Sequence, residues 1–251
     1  MKRHLGGFAA ACALSVALAA PVEAQKSGGV LIMSHFDSPA SMSMHEEATG
    51  AVNRPMMGVF NNLVLFDQHV AQNSMASIVP DLATAWSWNE EGTELTLPLR
   101  RGVKWHDGKP FTAKDVKCTW DLLTGRSAEK LRLNPRKTWY RNLEEVTGNG
   151  DYEVTFRLKR PQPSLLALPA SGWSPVYLCH VSPRDMRAHP IGTGAFKFVD
   201  PAERPDPVSQ GNPSTGSRTG PVSTASSGGS FRAWRRGSWG SSRAVSIRSS
   251  V

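Results

Sequence analysis

The amino-acid sequence contains few groups of residues whose types and spacing could support chemistry. Four soft metal ligands fall within one short segment: His35, Met42, Met44 and His45. Imidazole and thioether groups are ligands that nickel or Cu(I) accept. The same segment is rich in Ser and follows an apolar run, which is also typical of a loop that lines a cleft. We therefore predict a loop at this position and no metal site.

Two further short motifs allow a chemical and a structural interpretation. His106 and Asp107 could bind a metal, but adjacent residues on a tight turn rarely converge on one ion. Gly108 follows them, so we predict a turn. The triplet 192–194, Gly-Thr-Gly, could hold an anion through backbone N–H groups. It also precedes an apolar run, and we interpret it as a backbone bend before a strand.

The motifs of the common hydrolases and nucleotide-binding enzymes are missing from the sequence. It contains no GxSxG, HExxH, P-loop or CxxC pattern. A secreted hydrolase is the competing enzyme class, and no nucleophile motif supports it. Of the three cysteines, Cys118 falls in a predicted helix and Cys179 in an apolar run. We expect both to be buried free thiols.

The positive charge of the chain is concentrated near its ends. The 251 residues carry a formal net charge of +8. Residues 201–251 contribute +5 of it, through seven Arg, two acidic residues and no Lys. The region between the ends is nearly neutral, so the charge does not indicate a nucleic-acid-binding face. An RNA-binding tail around Arg235 and Arg236 is excluded by the expectation that the chain is exported.

Residues 1–24 have the pattern of a cleavable export signal. Lys2 and Arg3 precede an apolar run, and the small residues Val22 and Ala24 suit cleavage after Ala24. A membrane anchor is disfavoured because the run is short and lacks a basic flank after it. A lipoprotein signal at Cys12 is disfavoured because no Leu stands three residues before it. We therefore expect a periplasmic protein.

Between residues 29 and 199 the pattern predicts a mixed α/β domain. The predicted elements are a strand at 30–33, a helix at 48–60, a strand at 63–66, hairpins at 86–99 and 143–158, a short helix at 165–168 capped by Ser164, and a strand at 195–199. Pro98 lacks an N–H group for the ladder, so its strand should lie at a sheet edge or carry a bulge.

A longer helix is predicted to begin after Thr112. Asp115 stands three residues later, which is the spacing of a capping box. Val116, Trp120 and Leu123 follow the i, i+4, i+7 spacing of a buried helix face.

The composition changes abruptly after Asp200. Residues 200–251 are rich in Ser, Gly, Arg and Pro, and residues 201–251 contain no Leu, Lys, Tyr or Met. Such a segment buries too little apolar surface to offset its conformational entropy, so we expect a low-complexity, disordered tail.

Several stretches together resemble the family 5 extracytoplasmic solute-binding proteins of ABC importers for peptides, dipeptides and nickel. The stretches that carry the resemblance are PDLA at 80–83 with Trp86, GTELT at 92–96, LRRGVKWHDGKPFTAKDV at 99–116 and PIGTGAFKFV at 190–199. Their order and their position behind an export signal are also typical of this family.

The resemblance implies a first lobe of a type II periplasmic-binding-protein fold, with an added subdomain, in residues 25–199. It implies no catalytic residues and no cofactor, and delivery of the captured solute to a permease in the inner membrane. We expect that the second lobe, which follows in the family, is missing here. We expect a frameshift near Asp200 to be the cause, and a non-functional fragment is an alternative.

The resemblance also suggests which residues contact the solute. By position, the loop that contains Ser41, Met44 and His45 would face the cleft, together with Trp139 and Trp173. The triplet Gly192, Thr193 and Gly194 would form a structural hinge. The expected solutes are oligopeptides or dipeptides, and nickel or another small solute is the alternative.

Overall fold

A computed structural model of the chain describes residues 29–35, 39–199, 229–232 and 243–249. The predicted export signal lies outside these ranges. The strands are β1 (Gly29–His35), β2 (Val64–Phe66), β3 (Ile78–Pro80), β4 (Ser87–Trp88), β5 (Glu94–Pro98), β6 (Leu143–Gly148), β7 (Glu153–Leu158), β8 (Phe196–Val199), β9 (Gly229–Arg232) and β10 (Arg243–Ser249). The α-helices are α1 (Gly50–Met56), α2 (Ala113–Thr124), α3 (Ala167–Ala170) and α4 (Pro183–Met186). Short 3₁₀ turns occupy Met75–Ser77, Lys137–Tyr140 and Pro163–Leu166.

The strands form three sheets. Their orders are β1-β10-β9-β8, β2-β3 and β4-β5-β7-β6. All pairs are antiparallel except β8 with β9. No helix within the described ranges is long and apolar enough to span a membrane.

Both predicted hairpins are confirmed, but the expected edge position of Pro98 is wrong. Strand β5 lies inside its sheet, between β4 and β7. Pro98 is tolerated because it is the last residue of β5, opposite Glu153. Its carbonyl still accepts a hydrogen bond from the backbone N–H of Thr84 at 2.8 Å. Strand β4 pairs with β5 only at Leu95 and Thr96, so it needs no donor from the proline.

Helix α2 begins and packs as its sequence predicts. The Asp115 carboxylate accepts the backbone N–H of Thr112 at 3.0 Å and completes the capping box. Val116, Trp120 and Leu123 are fully buried, and α2 packs on β6 and β7. The Trp120 ring meets Phe156 edge-on, with 4.9 Å between ring centroids. Burial of each such side chain contributes about 2 kcal/mol, so this face anchors the helix.

The two cysteines form a disulfide, which corrects the expectation of free thiols. Cys118 and Cys179 are bonded, and their Cα atoms lie 5.7 Å apart. Both are half-buried rather than buried. They meet because α2 binds the chain that ends at Cys179. Asp115 accepts the backbone N–H of Cys179 at 3.0 Å, and Thr119 Oγ1 accepts that of Tyr177 at 2.9 Å. These tertiary bonds cannot be inferred from cysteine spacing.

Helix α1 is shorter than the helix predicted over residues 48–60. It ends at Met56, and the chain continues through a turn into an irregular segment, Gly58–Leu63. A Cβ on Gly58 would lie 2.7 Å from the Phe196 ring, so only glycine allows this approach. The Gly58 carbonyl accepts the backbone N–H of Phe196 at 3.0 Å. Tertiary contacts thus override the helical pattern.

Similar differences affect the short helix and the tail. The helix predicted at 165–168 is a 3₁₀ turn over Pro163–Leu166 that continues into α3, with Gln162 rather than Ser164 at its start.

The sequence predicts disorder after residue 200, whereas Gly229–Arg232 and Arg243–Ser249 form β9 and β10. In β10, Val245 and Ile247 alternate with polar residues, a pattern suited to a strand. The other tail residues lie outside the described ranges.

Loss of the disulfide should lower the free energy of unfolding without changing the fold. The bond closes a loop with a sequence separation of 61, for which the chain-entropy argument gives about 4 kcal/mol. Denaturant unfolding of the chain, with the disulfide intact and after its reduction, measures the difference in the free energy of unfolding. The double variant Cys118→Ser/Cys179→Ser is the control and should match the reduced chain. Equal stability of all three forms would contradict a stabilising bond.

Candidate functional site

The loop that was predicted to face a cleft is tied down at several points. Ser41 is half-buried, and its hydroxyl donates to the Glu47 carboxylate at 2.8 Å. The Met44 backbone N–H donates to the Tyr177 hydroxyl at 2.8 Å. The Glu46 carboxylate is buried and pairs with Arg187 at 2.8 Å. The loop is therefore a rigid part of the structure.

The side chains of Met44 and His45 lie in the core. Met44 is 1% exposed and His45 is fully buried. His45 Nε2 lies 2.9 Å from the Pro175 carbonyl, and its ring centroid lies 4.2 Å from that of Tyr177. Burial, and next the charge of Arg136, lower the pKa of His45 to about 3. The imidazole is therefore neutral at pH 7 and acts here as a packing group. Of the three predicted loop contacts, only Ser41 keeps partial exposure.

Arg136 links the loop to both predicted tryptophans. Arg136 is 3% exposed, and its guanidinium donates to the backbone carbonyls of His45, at 3.2 Å, and Glu47. The same group lies 4.4 Å from the centroid of Trp173 and 5.8 Å from that of Trp139. Burial lowers the pKa of Arg136. Sequence analysis missed this residue, although an Arg three positions before a Trp was a possible signal.

Trp139 and Trp173 lie beside Arg136, and Met57 lies beside Gly172; we call these three side chains the tryptophan face. Trp139 is 38% exposed, Met57 is 46% exposed and Trp173 is half-buried. The Met57 side chain lies against Gly172, where an added Cβ would be 3.4 Å from Met57 Cε. The structure thus brings together both predicted tryptophans around Arg136, and adds Met57.

The predicted hinge triplet packs directly on the irregular segment Gly58–Leu63. A Cβ on Gly192 would lie 1.8 Å from the Val59 carbonyl oxygen, and one on Gly194 would lie 2.5 Å from that of Gly58. The Gly194 backbone N–H donates to the Val59 carbonyl at 2.9 Å. The two glycines are required because backbone approaches backbone. Thr193 between them is buried, and its hydroxyl donates to Asn61 Oδ1 at 3.0 Å.

His106 supports the triplet from the other side. Its Nδ1 accepts the backbone N–H of Gly192 at 3.2 Å, so Nε2 carries the proton and donates to the Gly194 carbonyl at 2.9 Å. Burial lowers the pKa of His106 to about 4, so the ring is neutral at pH 7. Both ring nitrogens are used in this structural contact.

The predicted turn at His106 and Asp107 is confirmed. The Gly108 N–H donates to the Trp105 carbonyl at 2.8 Å, and Gly108 has a φ of +89°. The Asp107 carboxylate lies 2.6 Å from His180 Nε2. Within the part of the chain that the structure describes, no three His, Cys, Asp or Glu side chains are grouped to hold a metal ion.

An open groove of about 850 Å³ lies away from all of these residues. It is bordered by Arg100, Arg101 and the chain from Asn149 to Glu153. Arg101 lies over the Tyr152 ring at 4.7 Å. None of the predicted site residues lines it.

The sequence pattern of the bacterial extracellular solute-binding proteins, family 5, matches residues 77–205. The match covers about half of the chain. The chain belongs to this family.

Two relatives illustrate the match. A protein of Brucella ovis, provisionally named an ABC transporter peptide-binding protein, is 31% identical over 148 residues, which is 55% of this chain and 26% of that protein. The structure of MoaA from A. tumefaciens R10, in complex with mannopinic acid, is 27% identical with a TM-score of 0.53. The match covers 63% of this chain and 32% of the MoaA chain.

A third solved structure extends the range of bound molecules. The oligopeptide-binding protein AppA from Bacillus subtilis, in complex with a nonapeptide, is 25% identical with a TM-score of 0.52. It covers 64% of this chain and 32% of that one. The chain thus spans about a quarter to a third of the length of these three proteins.

These matches confirm the fold class and the absence of an enzymatic role. The fold is that of type II periplasmic binding proteins. Members of the family are solute-binding components of transporters and not enzymes. The solute contacts and the hinge are not tested by the matches and stay predictions.

Replacement of Gly192 by Ala should destabilise the protein strongly. The new methyl group would overlap the Val59 carbonyl oxygen, and neither backbone can move without breaking hydrogen bonds. We expect a loss of about 3 kcal/mol or more in the free energy of unfolding, measured by urea titration. Gly50→Ala is the matched control, because no atom lies within 4 Å of its added Cβ. Equal stability of the two variants would contradict the close approach.

Proposed function

We propose that the protein is the substrate-binding component of an ABC importer that captures oligopeptides or dipeptides in the periplasm. It would deliver them to a permease complex in the inner membrane. Family membership supports the transport role. Relatives named for peptide binding, in Brucella ovis and in Bacillus subtilis, support the ligand class. We further propose that the described residues form one wall of the ligand cleft.

The tryptophan face is the observation that carries this proposal. It presents two indole rings and a thioether at the surface, and large apolar side chains in such a position are typical of a binding surface. The guanidinium of the buried Arg136 contacts both rings, 4.4 Å from the centroid of Trp173 and 5.8 Å from that of Trp139. A rigid apolar wall loses little conformational entropy on binding and accepts peptide side chains of different shapes.

Nickel is the alternative ligand, since NikZ from Campylobacter jejuni, solved with Ni(L-His), is also similar, at 25% identity. In the present chain His45 is the imidazole among the predicted loop contacts. It is fully buried, and its Nε2 is engaged with the Pro175 carbonyl. It is thus poorly placed to ligate a metal in the cleft, which favours peptides.

Peptide binding should be detected at the tryptophans of the face. We expect a mixture of di- to pentapeptides to shift the indole N–H resonances of Trp139 and Trp173 in ¹H–¹⁵N spectra. The affinity should be weaker than micromolar, because one wall leaves the ligand's hydrogen bonds in competition with water. Trp139→Phe and Trp173→Phe assign the two signals.

Trp88 provides the internal control for this titration. It lies in β4, away from the tryptophan face, and its signal should not move. No shift at Trp139 and Trp173, or an equal shift at Trp88, would contradict the proposed site. Submicromolar binding by the chain alone would contradict the proposal that the described residues form a single wall.

A further inference from the structure

The turn that carries Trp173 is closed by one backbone hydrogen bond. The Ser174 N–H donates to the Ser171 carbonyl at 2.9 Å, which places Gly172 and Trp173 at the corner. The Ser171 hydroxyl also accepts a hydrogen bond from the backbone N–H of Trp173, at 3.3 Å. The direction of the Trp173 ring therefore depends on where the carbonyls of this turn are held.

Two asparagine side chains hold those carbonyls. Asn62 Nδ2 donates to the Ser171 carbonyl at 2.7 Å and to the Pro169 carbonyl at 3.0 Å. Asn53 Nδ2 donates to the Gly172 carbonyl at 2.7 Å. A side-chain amide fixes both the position and the direction of a carbonyl, because its hydrogen bonds are directional. Packing alone would not impose that direction.

Asn62 is itself fixed by Asp81. The Asp81 carboxylate is buried, and it accepts the Asn62 backbone N–H at 2.9 Å and the Asn61 amide at 3.0 Å. The Asn62 carbonyl in turn accepts the Leu82 N–H at 3.0 Å. Through Asn61 Oδ1, which accepts the Thr193 hydroxyl, the same carboxylate is connected to the Gly-Thr-Gly triplet.

We propose that Asn53 and Asn62 are positioning residues that set the orientation of Trp173 in the tryptophan face, with Asp81 as the anchor of Asn62. The geometric part of the proposal concerns the free protein. Its consequence for affinity rests on the proposed function, since it requires that the tryptophan face contacts the solute.

Two substitutions at Asn62 separate hydrogen bonding from packing. Asn62→Asp keeps the volume of the side chain but replaces the donors by a carboxylate that repels the two carbonyls. Asn62→Ala removes the side chain. Asn89→Ala is the matched control, because Asn89 is also half-buried and its amide group makes hydrogen bonds of similar length to Thr93 and Glu94, within the β4–β5 hairpin.

The readout is the indole N–H resonance of Trp173 in the ligand-free chain. Asn62→Asp and Asn62→Ala should both shift this resonance, whereas Asn89→Ala should leave it unchanged. A Trp173 signal in Asn62→Asp that equals the wild type, in a folded variant, would overturn the proposal. If Asn62→Asp does not fold, Asn53→Ala supplies the same test through the Gly172 carbonyl.

Affinity provides a second, separable measurement. If the wild-type chain binds the peptide mixture, Asn62→Ala should bind it about tenfold more weakly, the loss expected for one to two hydrogen bonds that orient the ring. If the wild-type chain binds no peptide, the proposed function fails while the Trp173 resonance still decides the positioning role. If the wild-type chain and Asn62→Ala bind the peptide mixture with equal affinity, the proposed link between the orientation of Trp173 and peptide affinity is overturned.

Discussion

The rest of the described structure depends on the hydrogen bonds of one irregular segment, Gly58–Leu63. A buried carbonyl without a partner costs about 1–3 kcal/mol, so a segment outside regular secondary structure has to find partners elsewhere. Here the partners come from three separate parts of the chain. The donors to its backbone carbonyls are the backbone N–H groups of Asp81, Leu82, Ala83, Val176, Gly194 and Phe196. One short stretch thus joins the PDLA motif, the chain beside the tryptophan face and the strand after the Gly-Thr-Gly triplet.

This arrangement explains residues that no local pattern accounts for. Gly58, Gly192 and Gly194 are glycines because a Cβ at each position would meet a ring or a backbone atom within 3 Å. Asp81 is buried and accepts several hydrogen bonds, and burial raises its pKa to about 6. The desolvation cost of this buried carboxylate is offset by the hydrogen bonds that it accepts from Asn61 and Asn62. The family motifs therefore mark the contacts of one junction.

Local rules predicted the local elements well. Helix α2 follows from the capping box at Thr112 and from its buried face, and the two hairpins follow from strict alternation. Predictions failed where tertiary contacts decide. Helix α1 stops early because the carbonyls of Gly58 and Val59 are bound by another segment. Cys118 lies beside Cys179 because Asp115 and Thr119 bind the backbone of Cys179 and Tyr177.

At the candidate site, too, some residues could be predicted from the sequence and others were decided by tertiary contacts. Trp139 and Trp173 were identified through the family resemblance, and the structure brings them together. Met44 and His45 were expected at the cleft from the position of their loop in the family resemblance, yet both are in the core. There the Tyr177 hydroxyl accepts the Met44 backbone N–H, and His45 Nε2 lies 2.9 Å from the Pro175 carbonyl. Arg136 was missed because its role depends on the carbonyls of His45 and Glu47, which are distant in sequence.

Native-state hydrogen exchange tests the central role of Gly58–Leu63 most directly. The measured quantities are the protection factors of the amides of Leu82, Ala83, Val176, Gly194 and Phe196, all of which donate to this segment. If the segment is a structural junction, these amides exchange together, with protection close to that of the amides in the β5–β7 ladder, because they open only in global unfolding. Independent exchange of the five amides, with protection far below that of the ladder, would show that the junction opens locally and would contradict this account.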